Sequence, residues 1–320
     1  MQGISRRLLL TRLAAAACVA ATGRKALLAE EAAKSKRKMT IDLNCGGIGV
    51  RAGLRECLDL AARHGFESFD PSAEELAGWK PADVEKLLSD MKSKGITFGA
   101  AGLSVDFRRD EDVFREGLKR LPVLAAALKK AGATRVGTWI NPGHNSLTYL
   151  KNFKQHASRL REVGALLGDH GLRLGLEYVG PKTSWARARF PFIHTMAEMK
   201  DLIAEIHRQE VGLVLDSWHW YTARETDADI LSLSGKDIVA VDLNDAPAGK
   251  EIDEQVDSRR ELPCATGVIH LKGFLGALHR IGYDGPVRAE PFNAALRALP
   301  PEDAVAATAA AMKKAFGLLE

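Results

Sequence analysis

The chain has 320 residues, 46% of them hydrophobic and 27% charged, with a formal net charge of +4. That is ample material for one core and for a single barrel domain of about 250 residues, so no second domain is required. The basic excess is local: removing residues 1–29 takes away Arg6, Arg7, Arg12, Arg24 and Lys25, leaving 40 basic against 41 acidic residues. A charge of −1 lacks the electrostatic footprint of a nucleic-acid binder.

The N-terminus, Ser5-Arg6-Arg7-Leu8-Leu9-Leu10 followed by an Ala-rich apolar stretch to Ala21, reads as a twin-arginine export signal over residues 1–29. Arg12 interrupts the run, which falls short of the roughly 20 residues a span needs, so no stable membrane insertion is expected once the signal is cleaved after Ala29 or Ala21. The mature protein is therefore expected outside the cytoplasm, in the periplasm or beyond. Cys18 follows the four alanines 14–17, as a lipoprotein anchor would. Residues 30–38 form a polar, Lys-rich linker, and 39–320 one domain. Cys45, Cys57 and Cys264 remain there without a Cys-x-x-Cys, which points to small buried side chains rather than a disulfide framework or a thiolate zinc site.

From Thr40 onwards, short β-like runs alternate with amphipathic helical patterns, the signature of repeated βα units around a parallel sheet. The expected strands are Thr40–Leu43, Phe66–Asp70, Thr97–Leu103, Arg135–Trp139, Arg173–Glu177, Gly212–Asp216, Val239–Asn244 and Val287–Glu290. Eight such units make the chain an α/β protein, a single-domain (β/α)8 TIM barrel. Helical periodicity covers Leu54–Arg63, Val84–Lys94, Phe114–Lys130, Phe153–Leu167, Met196–His207, Phe274–Arg280 and Pro301–Leu319. Gly65, Gly95, Gly132, Gly171 and Gly282 stand where helices should end on a left-handed residue. The long segments 180–192 and 246–267 follow strands five and seven, on the side where barrel enzymes build their sites.

Glu177, Asp216, Asp242 and Glu290 each lie at or beside the C-terminal end of a strand from five to eight. Neighbouring strands are about 4.8 Å apart, so four such side chains can converge at one point of the barrel mouth. In the seventh strand the two-residue period puts Ala240, Asp242 and Asn244 on one face and Val241, Leu243 and Asp245 on the other. Oxygen-rich ligation suits one divalent ion, Mg or Mn, while His219 nearby admits Co or Zn. His219, three residues after Asp216, can turn back over the mouth as a ligand or as a donor to a substrate hydroxyl. Further substrate contacts are expected from Lys182, Trp139, Asn244, Arg259 and Arg260.

The segments Gly175-Leu-Glu-Tyr-Val-Gly-Pro181, Leu215-Asp-Ser-Trp-His219, Val241-Asp-Leu-Asn-Asp-Ala246 and Gly282-Tyr-Asp-Gly-Pro-Val-Arg-Ala-Glu-Pro-Phe292 resemble the sugar phosphate isomerase/epimerase (xylose isomerase-like TIM barrel) superfamily. In its ketose 3-epimerase branch, the resemblance implies a single divalent metal held by Glu177, Asp216, Asp242 and Glu290, with Glu177 and Glu290 doubling as acid and base and His219 touching substrate. Asp242 departs from the pattern, which has His there; Cys264 and His270 stand where Gly and Asp are expected.

The resemblance implies an isomerase or epimerase acting on a free sugar or keto-sugar through an enediolate. Loss of a β-leaving group from the same enediolate would give a lyase or dehydratase, as in the inosose dehydratase branch. An apurinic endonuclease would need further histidines, and residues 246–267 contain none. A barrel that binds sugar without turnover is the non-enzymatic alternative. The expected partner is a small carbohydrate, with assembly into a homo-oligomer left open.

Overall fold

A computed structural model of the protein describes residues 37–320; the expected export signal, residues 1–29, and residues 30–36 of the expected linker lie outside them. Eight parallel staves surround one core. They are Thr40–Leu43, Ser68–Phe69, Thr97–Phe98 continued by Ala100–Gly102, Arg135–Trp139, Arg173–Glu177, Val211–Asp216, Ile238–Leu243 and Pro286–Ala289. Each pairs with its neighbour in sequence, and the eighth closes on the first, with Ile41 opposite Val287. Strands one, four and five match the expected bounds and the others shift by one or two residues, except that the third is interrupted.

Gly99 makes that interruption. Its amide donates to the Phe69 carbonyl at 2.8 Å, so the ladder continues, but a Cβ here would lie 2.3 Å from Oδ1 of Asp42. Only glycine leaves room for that buried carboxylate.

Helices cover the outside, and their termini follow local rules. Asp110 caps Glu111–Lys130 by accepting from the Val113 amide at 3.0 Å. All five expected turn glycines have positive φ, from +66° at Gly95 to +80° at Gly132, ending helices at the face opposite the carboxylates. Among the described residues, no helix is long and apolar enough to cross a membrane.

Two devices shape the mouth. A short antiparallel pair, Gly143–His144 with Phe190–Pro191, ties the loops after strands four and five together. Asp245, fully buried, holds both ends of the loop after strand seven: Oδ1 accepts from the Ala246 and Ile269 amides at 2.8 and 3.0 Å, and Oδ2 from the Thr266 and Gly267 amides at 3.0 and 2.7 Å. A carboxyl accepting from four backbone donors fixes the frame on which residues 246–267 fold.

Candidate active site

The four carboxylates converge at the mouth as their strand-end positions require. Asp216 and Asp242 are direct register partners, and Asp242 lies opposite Arg288 on the eighth strand, two residues before Glu290, which follows that strand's end. Asp216 is also the N-cap of the short helix Ser217–Thr222, accepting from the Trp218 amide at 2.7 Å. That helix brings His219 back over the site, so the three-residue spacing has a local cause.

Glu177, Asp242 and Glu290 offer oxygens that lie within 4.8 Å of one another, as do the ligand atoms of Glu177, Asp216 and His219. Burial comes first in pushing Glu177, Asp216 and Glu290 towards their neutral forms, followed by repulsion from neighbouring carboxylates. Glu177 is raised well above the ordinary glutamate value, Asp216 to about 7 and Glu290 to about 8.

Two arginines offset part of this charge. Arg260, buried in the loop after strand seven, donates from Nη1 to Asp216 Oδ2 at 2.7 Å and Glu290 Oε2 at 3.4 Å, and from Nη2 to Asp257 Oδ1 at 2.8 Å. Burial alone would lower its pKa, but Asp216, Asp257 and Glu290 raise it further, so it stays charged. Arg288 grips both oxygens of Asp242, at 2.6 and 3.2 Å, and reaches Asp70 Oδ2 at 2.8 Å. A carboxylate thus stands where the resemblance expects His, with a guanidinium beneath it that supplies the compensating charge.

Glu177 has no such partner. Its Oε1 is buried with no hydrogen bond, and among the described residues no Lys or Arg lies within 4.0 Å of it. A buried, unpartnered carboxylate oxygen amid three further carboxylates fits a divalent cation, which Glu177, Asp216, Asp242 and Glu290 could hold through oxygen. Asp242 retains lone pairs for this despite Arg288, because a carboxylate has about four acceptor sites.

His219 is fully buried, and burial together with Arg260 pushes its pKa down to about 3, leaving a neutral ring. Its Nδ1 lies 3.2 Å from the Gly180 amide and its Nε2 3.3 Å from Arg260 Nη2; both partners donate and a neutral ring has a single acceptor nitrogen, so the two contacts compete for its tautomer. Nε2 also faces Asp216 Oδ2 and Glu177 Oε1, 3.8 and 3.9 Å away. With the proton on Nε2 the ring is a hydrogen-bond donor to the site, and with the proton on Nδ1 it is an acceptor or ligand there.

The cleft above has a volume of about 400 Å³, and Glu177, His219, Arg260 and Glu290 line it together with Trp139, Asp257 and Phe292. Trp139 is 45% exposed, with the Arg108 guanidinium 4.5 Å from its ring centroid. Phe292 sits at φ +43° with the Arg260 guanidinium 4.5 Å from its ring, so a strained backbone presents one wall of the cleft.

Other expected contacts lie elsewhere. Asn244 does face inward, but its Nδ2 donates to Asp216 Oδ1 at 3.0 Å and its Oδ1 accepts from the Glu290 amide at 3.1 Å, so it is a strut between two acids rather than a substrate contact. Lys182 pairs on the surface with Asp253 at 2.8 Å, and Arg259 is exposed; neither lines the cleft. Cys264 has φ +61°, a left-handed conformation that explains why glycine is expected there. His270 precedes Leu271–Arg280 without a side-chain cap, the task an Asp would perform.

The carboxylate set gives the cation-free protein a definite pH dependence. Because Asp216 and Glu290 are raised from 3.8 and 4.5 to about 7 and about 8, the folded state holds more protons than the unfolded one across that window. Stability from these groups is present at low pH and lost as pH rises through the folded values. A bound cation favours the ionised forms, so the rise in Tm on adding Mn²⁺ is expected to grow from about pH 5 to about pH 8. Differential scanning fluorimetry with and without Mn²⁺ measures it, and a rise independent of pH would contradict the assignment.

The model of a family described as "Xylose isomerase-like TIM barrel" matches residues 58–315. A 3-dehydroshikimate dehydratase of Pseudomonas aeruginosa is 26% identical over 260 residues, covering 79% of this chain but only 38% of that longer protein. An inosose isomerase of Bacillus velezensis is 25% identical over 251 residues, covering 76% of this chain and 84% of the relative. Among solved structures, a zinc-bound IOLI protein superposes with a TM-score of 0.72 at 22% identity, covering 87% of this chain and 98% of that one, which speaks to the fold.

Proposed function

From the premise that this chain belongs to the xylose isomerase-like TIM barrel family, we propose that it is a divalent-cation-dependent isomerase or epimerase of a free sugar or keto-sugar. An inosose isomerase and a 3-dehydroshikimate dehydratase among its relatives support this class of chemistry. The observation that carries the finer reading is the pair Glu177 and Glu290: a buried carboxyl at the end of strand five and a half-buried one just after strand eight, with oxygens within 4.8 Å and both raised above their ordinary values. Such a pair can hold one proton between them, leaving one group to take a proton from a C–H bond and the other to return one.

A divalent cation, when bound, supplies Lewis-acid polarisation of the substrate's keto oxygen. The all-carboxylate set Glu177, Asp216, Asp242 and Glu290 favours Mg²⁺ or Mn²⁺ over Co²⁺ or Zn²⁺. His219 turns its Nε2 towards the carboxylates, where it would meet a substrate oxygen. Arg260 and Asn244 keep Asp216 and Glu290 in place, while Trp139 and Phe292 give apolar faces to a sugar ring and exclude water. Return of the proton to the same carbon gives epimerisation, and to the adjacent carbon isomerisation. The apparent export signal favours an unphosphorylated substrate, since few phosphorylated metabolites lie outside the cytoplasm.

A dehydratase is the second reading, favoured by the similarity to a 3-dehydroshikimate dehydratase. The test is product analysis with a panel of keto-sugars and 3-dehydroshikimate in deuterated water with Mn²⁺. Deuterium incorporation and a rearranged sugar without elimination are expected; loss of water would replace the isomerase with the dehydratase, and inertness with every substrate despite sugar binding would favour a non-catalytic barrel.

A further inference from the structure

Cys45 lies in the glycine-rich loop after the first strand, Asn44-Cys45-Gly46-Gly47-Ile48-Gly49-Val50, and Cys57 in the helix Leu54–His64. Their Sγ atoms are 3.3 Å apart, and both residues are more than nine-tenths buried. The helix start is fixed independently, because the Glu75 carboxylate accepts from the Leu54 amide at 3.1 and 3.2 Å. The loop lies close to the cleft wall: Arg297 donates from Nη2 to the Gly47 carbonyl at 3.3 Å, and its guanidinium is 5.2 Å from the ring of Phe292.

We propose that Cys45 and Cys57 form an intramolecular disulfide when the protein meets an oxidising compartment, and that this bond staples the glycine-rich loop to the first helix. The twin-arginine signal read in residues 1–29 would deliver the chain to such a compartment, where disulfides persist. The oxidant is a disulfide, either a small molecule or an oxidised dithiol protein. Cys57 Sγ, as its thiolate, attacks one sulfur of that disulfide and displaces the other as a thiol. Cys45 Sγ then attacks Cys57 Sγ and releases the second thiol. One S–S bond breaks and one forms, the two cysteines lose two electrons to the oxidant, and their two protons leave on the released thiols. Three glycines in the loop make its reduced form entropically rich, so a cross-link there restrains many backbone states.

The test uses the full chain equilibrated with glutathione disulfide, then denatured in an alkylating agent and mapped by proteolysis and mass spectrometry. A linked Cys45–Cys57 peptide is expected, with both thiols alkylated only after reduction and Cys264 alkylated throughout. The linked protein should melt about 5 °C above the reduced one, a difference that Cys45→Ser removes. Alkylation of both thiols in the oxidised sample, linkage to another cysteine or another chain, or equal Tm values for linked and reduced protein would each overturn it. The peptide map needs no variant, so it decides even if Cys45→Ser fails to fold, and it is independent of the sugar chemistry.

Discussion

Glu177→Gln is expected to reduce deuterium exchange into a keto-sugar by about 10³-fold or more while leaving the fold intact. The amide keeps the size of the carboxyl but cannot accept a proton from carbon. It also removes one of four crowded acids, and the one whose Oε1 has no hydrogen-bond partner. Burial and repulsion from Glu290, Asp242 and Asp216 disfavour its charge, so the cation-free variant should melt no lower than the parent. Exchange rates by NMR and a thermal melt separate the two effects. Retained exchange within about tenfold would remove Glu177 from the proton-transfer role.

The second large effect is expected at Arg260, where one guanidinium compensates Asp216, Glu290 and Asp257 in a buried setting. Arg260→Met leaves those acids without their cation, a change of the kind that costs about 3–5 kcal/mol, and should lower the Tm of the cation-free protein by roughly 10 °C. The same substitution removes a positive charge that competes for Asp216 and Glu290 oxygens, so Mn²⁺ should bind about tenfold more tightly by calorimetric titration. Arg260→Lys should fall between the two in stability. Unchanged stability together with weaker Mn²⁺ binding would mean that Arg260 supports the cation rather than substituting for its charge.

How much of this could be read from the chain depends on how local each determinant is. The carboxylates at Glu177, Asp216, Asp242 and Glu290 were legible because a strand's two-residue period and its C-terminal end fix where a side chain points. The five left-handed glycines were legible because the constraint on φ acts at the residue itself. Arg288 was passed over, although its parity with Glu290 on one strand face is a usable signal: a cation at an inward position of an apolar strand has to meet a buried anion. Asp42 is comparable, an acid on the first strand whose space depends on Gly99, more than fifty residues later.

Asp245 and Asn244 show the limit. Their residue types and face were visible, but Asp245's distant donors, at Thr266, Gly267 and Ile269, come from the far end of a folded loop, and Asn244's partners from two other strands. The same long-range return buries Arg260 and leaves the adjacent Arg259 on the surface. The proximity of Cys45 and Cys57 likewise depends on the turn through Gly46–Gly53, which no spacing rule encodes.

The most direct measurement is anomalous diffraction from crystals soaked in Mn²⁺, preferably with a keto-sugar present. One anomalous peak is predicted at the barrel mouth, with carboxylate oxygens of Glu177, Asp216, Asp242 and Glu290 at about 2.1 Å and a substrate carbon between Glu177 and Glu290. The absence of a peak there at saturating Mn²⁺, or a peak ligated by other residues, would contradict the account.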